Sequence, residues 1–220
     1  GEVHRILTEQ RAGVLTLGVV LALYFSSSGV ESLRVGLNRA YGIRETRRWW
    51  VTRLESIAYV LCGAFAMLAF AVLVVFGPLV WRSLVYRVPG LEPFGLTAAI
   101  LRLATATLII VIALIIAHKF IAAGRRPVRL VLPGIGVTLA LWLMAGLGFG
   151  WYLDNFAEAY VSTYGGLATA MVALIFLYWL AAFFLFGGEI NGTVIAAKKR
   201  RLHKLRIRDE QFAEVRKAPL

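Results

Sequence analysis

Five long apolar runs, separated by shorter polar segments, dominate the pattern of this chain. They cover residues 12–30, 56–81, 98–121, 131–153 and 165–190. Each has about the 20 apolar residues that a helix needs to cross a bilayer core, and none shows the period-two alternation of a membrane barrel. The pattern predicts an all-α, polytopic bundle of five transmembrane helices over 1–197, followed by a basic tail over 198–220. The first run is the weakest, because Ser26, Ser27 and Ser28 interrupt its end.

Basic residues alternate between few and many along the connecting segments. Two precede the first run, six lie in 31–55, two in 82–97, three in 122–130, none in 154–164 and nine after 190. Because cytoplasmic loops carry the excess of Lys and Arg, we expect 31–55, 122–130 and the C-terminus in the cytoplasm and Gly1 outside. An even number of spans would return both termini to the cytoplasm, so a sixth span before Gly1 is predicted.

Composition agrees with a membrane protein. The chain is 60% hydrophobic and only 16% charged, with a net charge of +12, whereas soluble domains are about a quarter charged. Basic residues next to apolar spans favour anionic lipid headgroups as partners over specific nucleic acid. The single Cys62 rules out an internal disulfide framework. We expect no cofactor, and a homo-oligomer stays open.

Two ionisable residues lie inside or at the end of a predicted span, where burial of charge is costly. Arg102 is either an interface anchor that extends towards water or a residue that lines a cavity. Glu189 is either a structural clamp or part of a polar mouth. As a clamp, it is expected to pair with Arg39 or Arg47, with Asn191 capping or bridging the same junction.

Glycines beside Glu189 indicate close helix packing. Gly187, Gly188 and Gly192 lack side chains, and the last two form a small-xxx-small pair. The same interpretation applies to Gly146 and Gly150. The run that contains them, GLGFG (146–150), lacks the spacing and the preceding strand of a dinucleotide-binding loop.

Catalytic patterns are weak. His4, His118 and His203 do not have the spacing of metal ligands, no acidic pair lies inside a span, and Ser26–Ser28 lack evident His and Asp partners. We therefore expect neither a metal site nor catalysis.

Four segments together resemble the YihY/BrkB family of bacterial inner-membrane proteins, historically labelled ribonuclease BN-like. They are LNRAYGIRETRRWW (37–50), VLPGIGVTLALW (131–142), YLDNFAEAYVSTYGGL (152–167) and LFGGEIN (185–191). The resemblance implies six spans with both ends in the cytoplasm, and a role in export, envelope integrity or movement of lipids or small solutes. The chain departs from it at Gly188, where Ala is usual, and at AHKFIAA (117–123), which lacks the usual proline.

We therefore interpret the chain as a permease-like protein that translocates lipids or small solutes in the bacterial inner membrane. The alternative is a structural or scaffold protein that moves nothing, and a membrane-bound nuclease is the least favoured. The candidate polar sites are Asn38, Arg39, Tyr41, Glu45, Arg47, Arg102, Asn155, Tyr164, Glu189 and Asn191.

The alternating charge predicts a membrane topology that labelling can test. Cysteines introduced at Arg47, Arg125 and Lys204 should react only with a reagent applied from the cytoplasmic side, and one at Asn155 only from outside. Labelling of positions 125 and 155 from the same side would contradict this arrangement.

Overall fold

A computed structural model describes the backbone of residues 12–164 and 166–217, and the side chains of residues 13, 15–155, 167 and 169–211. Within these residues the chain is helical and contains no strand. Five helical segments are long and apolar enough to cross a membrane: Leu15–Ala40, Trp49–Arg87, Pro89–Ile121, Leu132–Asn155 and Thr169–Gln211. The predicted all-α architecture with five spans is confirmed.

The elements follow one another with short connections. Helix α1 is Ala12–Ala40, α2 is Trp49–Ala71, α3 is Gly77–Arg87, α4 is Gly95–Ile116, α5 is Leu132–Tyr164 and α6 is Gly166–Lys217. Two π-helical segments, Val72–Phe76 and Ala117–Ile121, join α2 to α3 and extend α4, and short 3-10 helices cover Pro89–Phe94 and Val128–Leu130. The π-helical segments widen the helix locally, a feature found often at functional sites.

Several helices extend beyond the predicted spans, and α5, for example, continues to Tyr164. Helix α1 continues through 31–40, which the apolar pattern assigned to a loop, and α6 continues through most of the basic tail. Apolarity marks the length that crosses lipid, whereas the hydrogen-bonded helix ends only where the backbone changes direction. For α1 this is at Gly42, whose φ is +63°. The N–H of Gly42 bonds Arg39 O and that of Ile43 bonds Asn38 O, the paired bonds of a Schellman C-cap.

The described residues form two compact units. One contains the described residues up to Arg34 and Thr46–Ala113, and the other contains Val35–Glu45 and the described residues from Leu114 onward. The division of the chain into a bundle over 1–197 and a tail over 198–220 stays a prediction.

In the second unit, α5 and α6 pack antiparallel. The indole Nε1 of Trp142 donates to Leu180 O at 3.0 Å, and Phe149 stacks on Phe176 with ring centroids 4.4 Å apart. Thr138 is fully buried and donates to Gly134 O at 2.9 Å. These contacts fix one register along the helix pair.

Glycines allow the helices of the second unit to approach backbone to backbone. A Cβ on Gly134 would collide with Gly187 O, and one on Gly192 would collide with Ala40 O. Gly188 lies against Leu37, so Gly188 and Gly192 both face the end of α1. The predicted close approach at 187, 188 and 192 is confirmed.

The same interpretation of Gly146 and Gly150 is wrong. A Cβ at either position would have no described atom within 4 Å. Small residues permit a close neighbour without requiring one, and at this level of α5 no described residue packs against them.

The glycine contacts predict a position-specific loss of stability. Gly134→Ala and Gly192→Ala should each lower the free energy of unfolding by about 1–3 kcal/mol or more, because the added methyl group would displace the neighbouring backbone. Thermal unfolding in detergent measures this. Gly136→Ala is the matched control, since a Cβ there meets nothing within 4 Å. Equal unfolding temperatures for the three variants would contradict the close approach.

Candidate functional site

The second unit brings together a group of polar side chains, four of them buried, where α1 ends, beside the chain that links α4 to α5. We call this group the asparagine cluster. Its members are Asn38, Tyr41, Glu45, His118, Arg126 and Asn191.

Asn191 supplies a hydrogen-bond acceptor to a backbone N–H in the first turn of α5. It is fully buried, and its Oδ1 accepts a 2.7 Å hydrogen bond from the N–H of Gly134, the third residue of that helix. The first N–H groups of a helix have no acceptor within the helix, and no water replaces one in a hydrocarbon core. The absent side chain of Gly134 makes room, because a Cβ there would lie 2.6 Å from the amide carbon of Asn191.

Asn38 likewise supplies a hydrogen-bond acceptor to a backbone N–H in the chain after α4. It is 7% exposed, and its Oδ1 accepts a 2.7 Å hydrogen bond from Ala123 N. Its Nδ2 donates to Glu45 Oε2 at 3.0 Å. One amide therefore connects α1, the turn after α1 and the turn after α4.

Tyr41 connects the two asparagine sites. Its hydroxyl lies 3.5 Å from both His118 O, to which it donates, and Asn191 Nδ2, from which it accepts. Burial raises the pKa of the Tyr41 phenol, with the Asn191 hydrogen bond and the positive charge of Arg126 opposing the effect. The hydroxyl therefore keeps its proton at neutral pH and remains a donor.

Arg126 and His118 complete the cluster. The Arg126 guanidinium lies 4.1 Å from the centroid of the Tyr41 ring, is 6% exposed, and donates to Ala122 O at 3.0 Å. His118 is fully buried, with Nδ1 3.1 Å from Leu114 O and its ring against Phe184. Because a carbonyl only accepts, Nδ1 carries the hydrogen.

The predicted clamp at Glu189 is wrong. The Glu189 side chain is exposed, and no ion pair joins it to a side chain that the structure describes. Arg47 instead donates to Glu55 at 2.6 Å, and Arg39 is exposed. The fully buried partner on α6 is Asn191, two residues further on and 200° around the helix.

The first unit has its own group of charged side chains, which we call the arginine cluster. Arg34 and Arg47 both reach Glu55 Oε2, at 3.5 and 2.6 Å, and Arg34 also donates to Thr52 O at 2.8 Å. Arg53 pairs with Glu31 at 2.8 Å, and its guanidinium lies 4.2 Å from the Tyr24 ring centroid. These bonds join the second half of α1 to the first turns of α2.

Other predicted candidates lie elsewhere. Asn155 is exposed and donates to Trp151 O one turn earlier, at 2.7 Å. Arg102 is half-buried against Gly77 in the first unit. Tyr164 ends α5, and its side chain lies outside the described residues.

Sequence reasoning missed six members of these clusters, which are Glu31, Arg34, Arg53, Glu55, His118 and Arg126. Two features of the sequence could have pointed to some of them. Arg34 lies one helical turn before Asn38, and His118 is a polar residue within an apolar run. No pattern in GRRPVR separates buried Arg126 from exposed Arg125. Only the fold determines which of the two faces Tyr41.

The arrangement can hold the helices of each unit together. Among the described residues, no group of three His, Cys, Asp or Glu side chains could hold a metal ion. The polar atoms of both clusters form hydrogen bonds chiefly with backbone carbonyls, backbone N–H groups and each other.

These features define a multi-pass membrane protein whose spans are fastened by buried amides and glycines. The profile of the family described as "Virulence factor BrkB" matches residues 1–211, and the chain belongs to this family. It is similar to the ribonuclease-like protein YfkH of Bacillus subtilis (strain 168), at 28% identity over 196 residues, 89% of this chain and 71% of that protein. No solved structure matches.

The contrast between Asn191 and Glu189 predicts that substitutions of these two residues differ in their effect on stability. Asn191→Ala should lower the free energy of unfolding by about 1–3 kcal/mol, because the Gly134 N–H loses its acceptor in a buried site. Glu189→Gln should change it by less than about 0.5 kcal/mol, as for an exposed side chain. Thermal or denaturant unfolding in detergent measures both. A larger loss for Glu189→Gln than for Asn191→Ala would reverse our assignment.

Proposed function

We propose that this protein is a permease-like membrane protein that binds the anionic headgroups of lipids, or small anionic solutes, at its predicted cytoplasmic end and moves them across the membrane. The observation that carries the proposal is the division of the arginines between buried and exposed positions at the span ends.

Two buried arginines form their hydrogen bonds within the protein. Arg34 and Arg126 are 3% and 6% exposed, and both donate to backbone carbonyls. These side chains support the fold, and their burial gives them little access to a ligand.

A second set of arginines faces outward at the predicted cytoplasmic ends. It consists of Arg39, Arg44, Arg48, Arg125 and Arg129. Trp49 and Trp50 follow Arg48 directly and are 78% and 52% exposed. Exposed tryptophans next to exposed arginines are typical of the headgroup region, where each basic residue contributes about 1 kcal/mol of attraction to anionic lipid.

The C-terminal part of α6 supports an anionic partner as well. Residues 198–208 include Lys198, Lys199, Arg200, Arg201, Lys204, Arg206 and Arg208, all exposed. These side chains point in all directions around the helix axis, and Leu202 and Leu205 between them are exposed. A helix that lies flat in the membrane interface has one polar and one apolar face. Because residues 198–208 have basic side chains on all sides, this part of α6 favours contact with anionic groups over insertion of an apolar face into lipid.

A structural or scaffold protein is the second candidate. The close backbone contact of Gly134 with Gly187, and the buried amide of Asn191 between α5 and α6, favour a rigid pair of helices at this point. Such a pair could serve as a fixed wall for transport or as a platform for a partner.

Reconstitution into liposomes tests the two candidates. Fluorescent phosphatidylglycerol on both leaflets is bleached from outside by dithionite, and a parallel arm follows the release of a trapped anionic dye. We expect the protein to expose inner-leaflet lipid, or to release the dye, faster than in protein-free vesicles. The variant Arg48→Gln should do so about fivefold more slowly, since one headgroup contact of about 1 kcal/mol is lost.

Arg87→Gln is the control, because that exposed arginine belongs to the segment 82–97, which the charge pattern places away from the predicted cytoplasmic ends. Rates equal to those of protein-free vesicles in both arms would contradict transport and favour the scaffold.

A further inference from the structure

Arg102 is a charged residue within an apolar membrane segment. It lies on α4, seven residues after Gly95, in a candidate span from Pro89 to Ile121. The Trp81 indole nitrogen would lie 3.6 Å from a Cβ on Gly95, which puts these two residues at one level of the first unit. At 1.5 Å per residue, the Arg102 backbone is about 10 Å deeper along the helix than Gly95.

The side chain lies in a specific place on the neighbouring helix. A Cβ on Gly77 would lie 2.8 Å from Arg102 Cδ and 3.8 Å from its Nη1. Gly77 directly follows the π-helical segment Val72–Phe76 and precedes Pro78. Proline has no N–H, so a carbonyl one turn earlier loses its helical donor. The Arg102 side chain thus crosses the α2–α3 helix at Gly77, where the π-helical segment widens the helix and glycine has no side chain to cover its backbone.

No carboxylate neutralises Arg102 within the described residues. It takes part in no ion pair or hydrogen bond with another described side chain or backbone group. The sequence places no Asp or Glu in 56–81 or in 93–121. A guanidinium with five N–H donors and no acceptor is costly in an apolar environment.

Helical side chains lean towards the N-terminus of their own helix. On α4 that direction leads from Arg102 towards Gly95 and Trp81, the level at which the spans predicted from the sequence, 56–81 and 98–121, reach the membrane surface. A planar guanidinium binds a phosphate through two parallel hydrogen bonds, which an ammonium does not do.

We propose that Arg102, held over Gly77, is a binding site for a phosphate group that enters from the membrane surface nearest Trp81. The phosphate of an anionic lipid headgroup is the expected occupant, and a soluble organic phosphate has the same chemistry. This site uses none of the exposed arginines at the predicted cytoplasmic ends, and it stands whether or not the protein transports lipid.

Ligand-induced stabilisation in detergent tests the site with three probes. These are phosphatidylglycerol, glycerol 3-phosphate and diacylglycerol, which lacks phosphate. We expect phosphatidylglycerol to raise the unfolding temperature of the unmodified protein in a saturable way. In Arg102→Gln its apparent affinity should fall about tenfold or more, as for a lost charge-assisted hydrogen bond. An equal dependence on Arg102 with glycerol 3-phosphate would support a soluble ligand, and its absence would support lipid.

Two further variants keep the test independent of folding. Arg102→Lys keeps the charge but loses the fork, so it should also bind the phosphate more weakly. Gly77→Ala should weaken binding by displacing the arginine, whereas Gly63→Ala, on the preceding helix with nothing within 4 Å, should not.

Arg82→Gln, an exposed arginine on α3, is the control for general surface charge. Unchanged phosphatidylglycerol affinity in Arg102→Gln and Arg102→Lys would overturn the proposal. So would an equal loss in Arg82→Gln, or equal stabilisation by diacylglycerol.

Discussion

The second unit depends on one constraint, which is that a backbone N–H buried away from water must find an acceptor. Helix α5 starts at Leu132, and the N–H of its third residue, Gly134, is met by the carboxamide of Asn191 at 2.7 Å. Gly134 has to be glycine for that amide to fit, and Gly187 has to be glycine for the two backbones to meet beside it. The turn after α4 uses the same solution, with Asn38 accepting from Ala123. A neutral amide suits this role, because it both donates and accepts without the cost of burying a charge.

Charged residues are used differently at the two levels of burial. Arg126 is buried, but it faces the Tyr41 ring and donates to a carbonyl, so its charge is partly compensated inside the protein. In the arginine cluster of the first unit, Glu55 accepts from Arg34 and Arg47. The exposed arginines at 39, 44, 48, 125 and 129 remain for partners in the headgroup region, and the family to which the chain belongs is a membrane family. The proposed function rests on these exposed arginines, since the buried arginines already form their hydrogen bonds and ion pairs within the protein.

Much of the fold could be predicted from the sequence, because the length and apolarity of each run reflect the bilayer. The ends of the helices could not, since α1 continues for ten residues beyond the predicted span until Gly42 allows a left-handed turn. The site was predicted in part. LFGGEIN correctly indicated a close neighbour at the glycines and a capping or bridging role for Asn191, but the ion pair predicted for Glu189 is not found among the described residues. One residue turns a helix by 100°, so which residue of the motif faces the neighbour depends on the register of α6 against α1 and α5. Apolar pattern and charge do not specify that register, and the same uncertainty separates buried Arg126 from exposed Arg125.

The central claim is that Asn191 supplies the acceptor for the start of α5. Hydrogen exchange followed by mass spectrometry, on the protein in lipid nanodiscs, measures it most directly in a peptide covering 132–140. In the unmodified protein and in Glu189→Gln, the Gly134 N–H should be protected. In Asn191→Ala this peptide should exchange one additional amide rapidly, while peptides from α2 keep their protection. Unchanged exchange of the 132–140 peptide in Asn191→Ala would contradict the account.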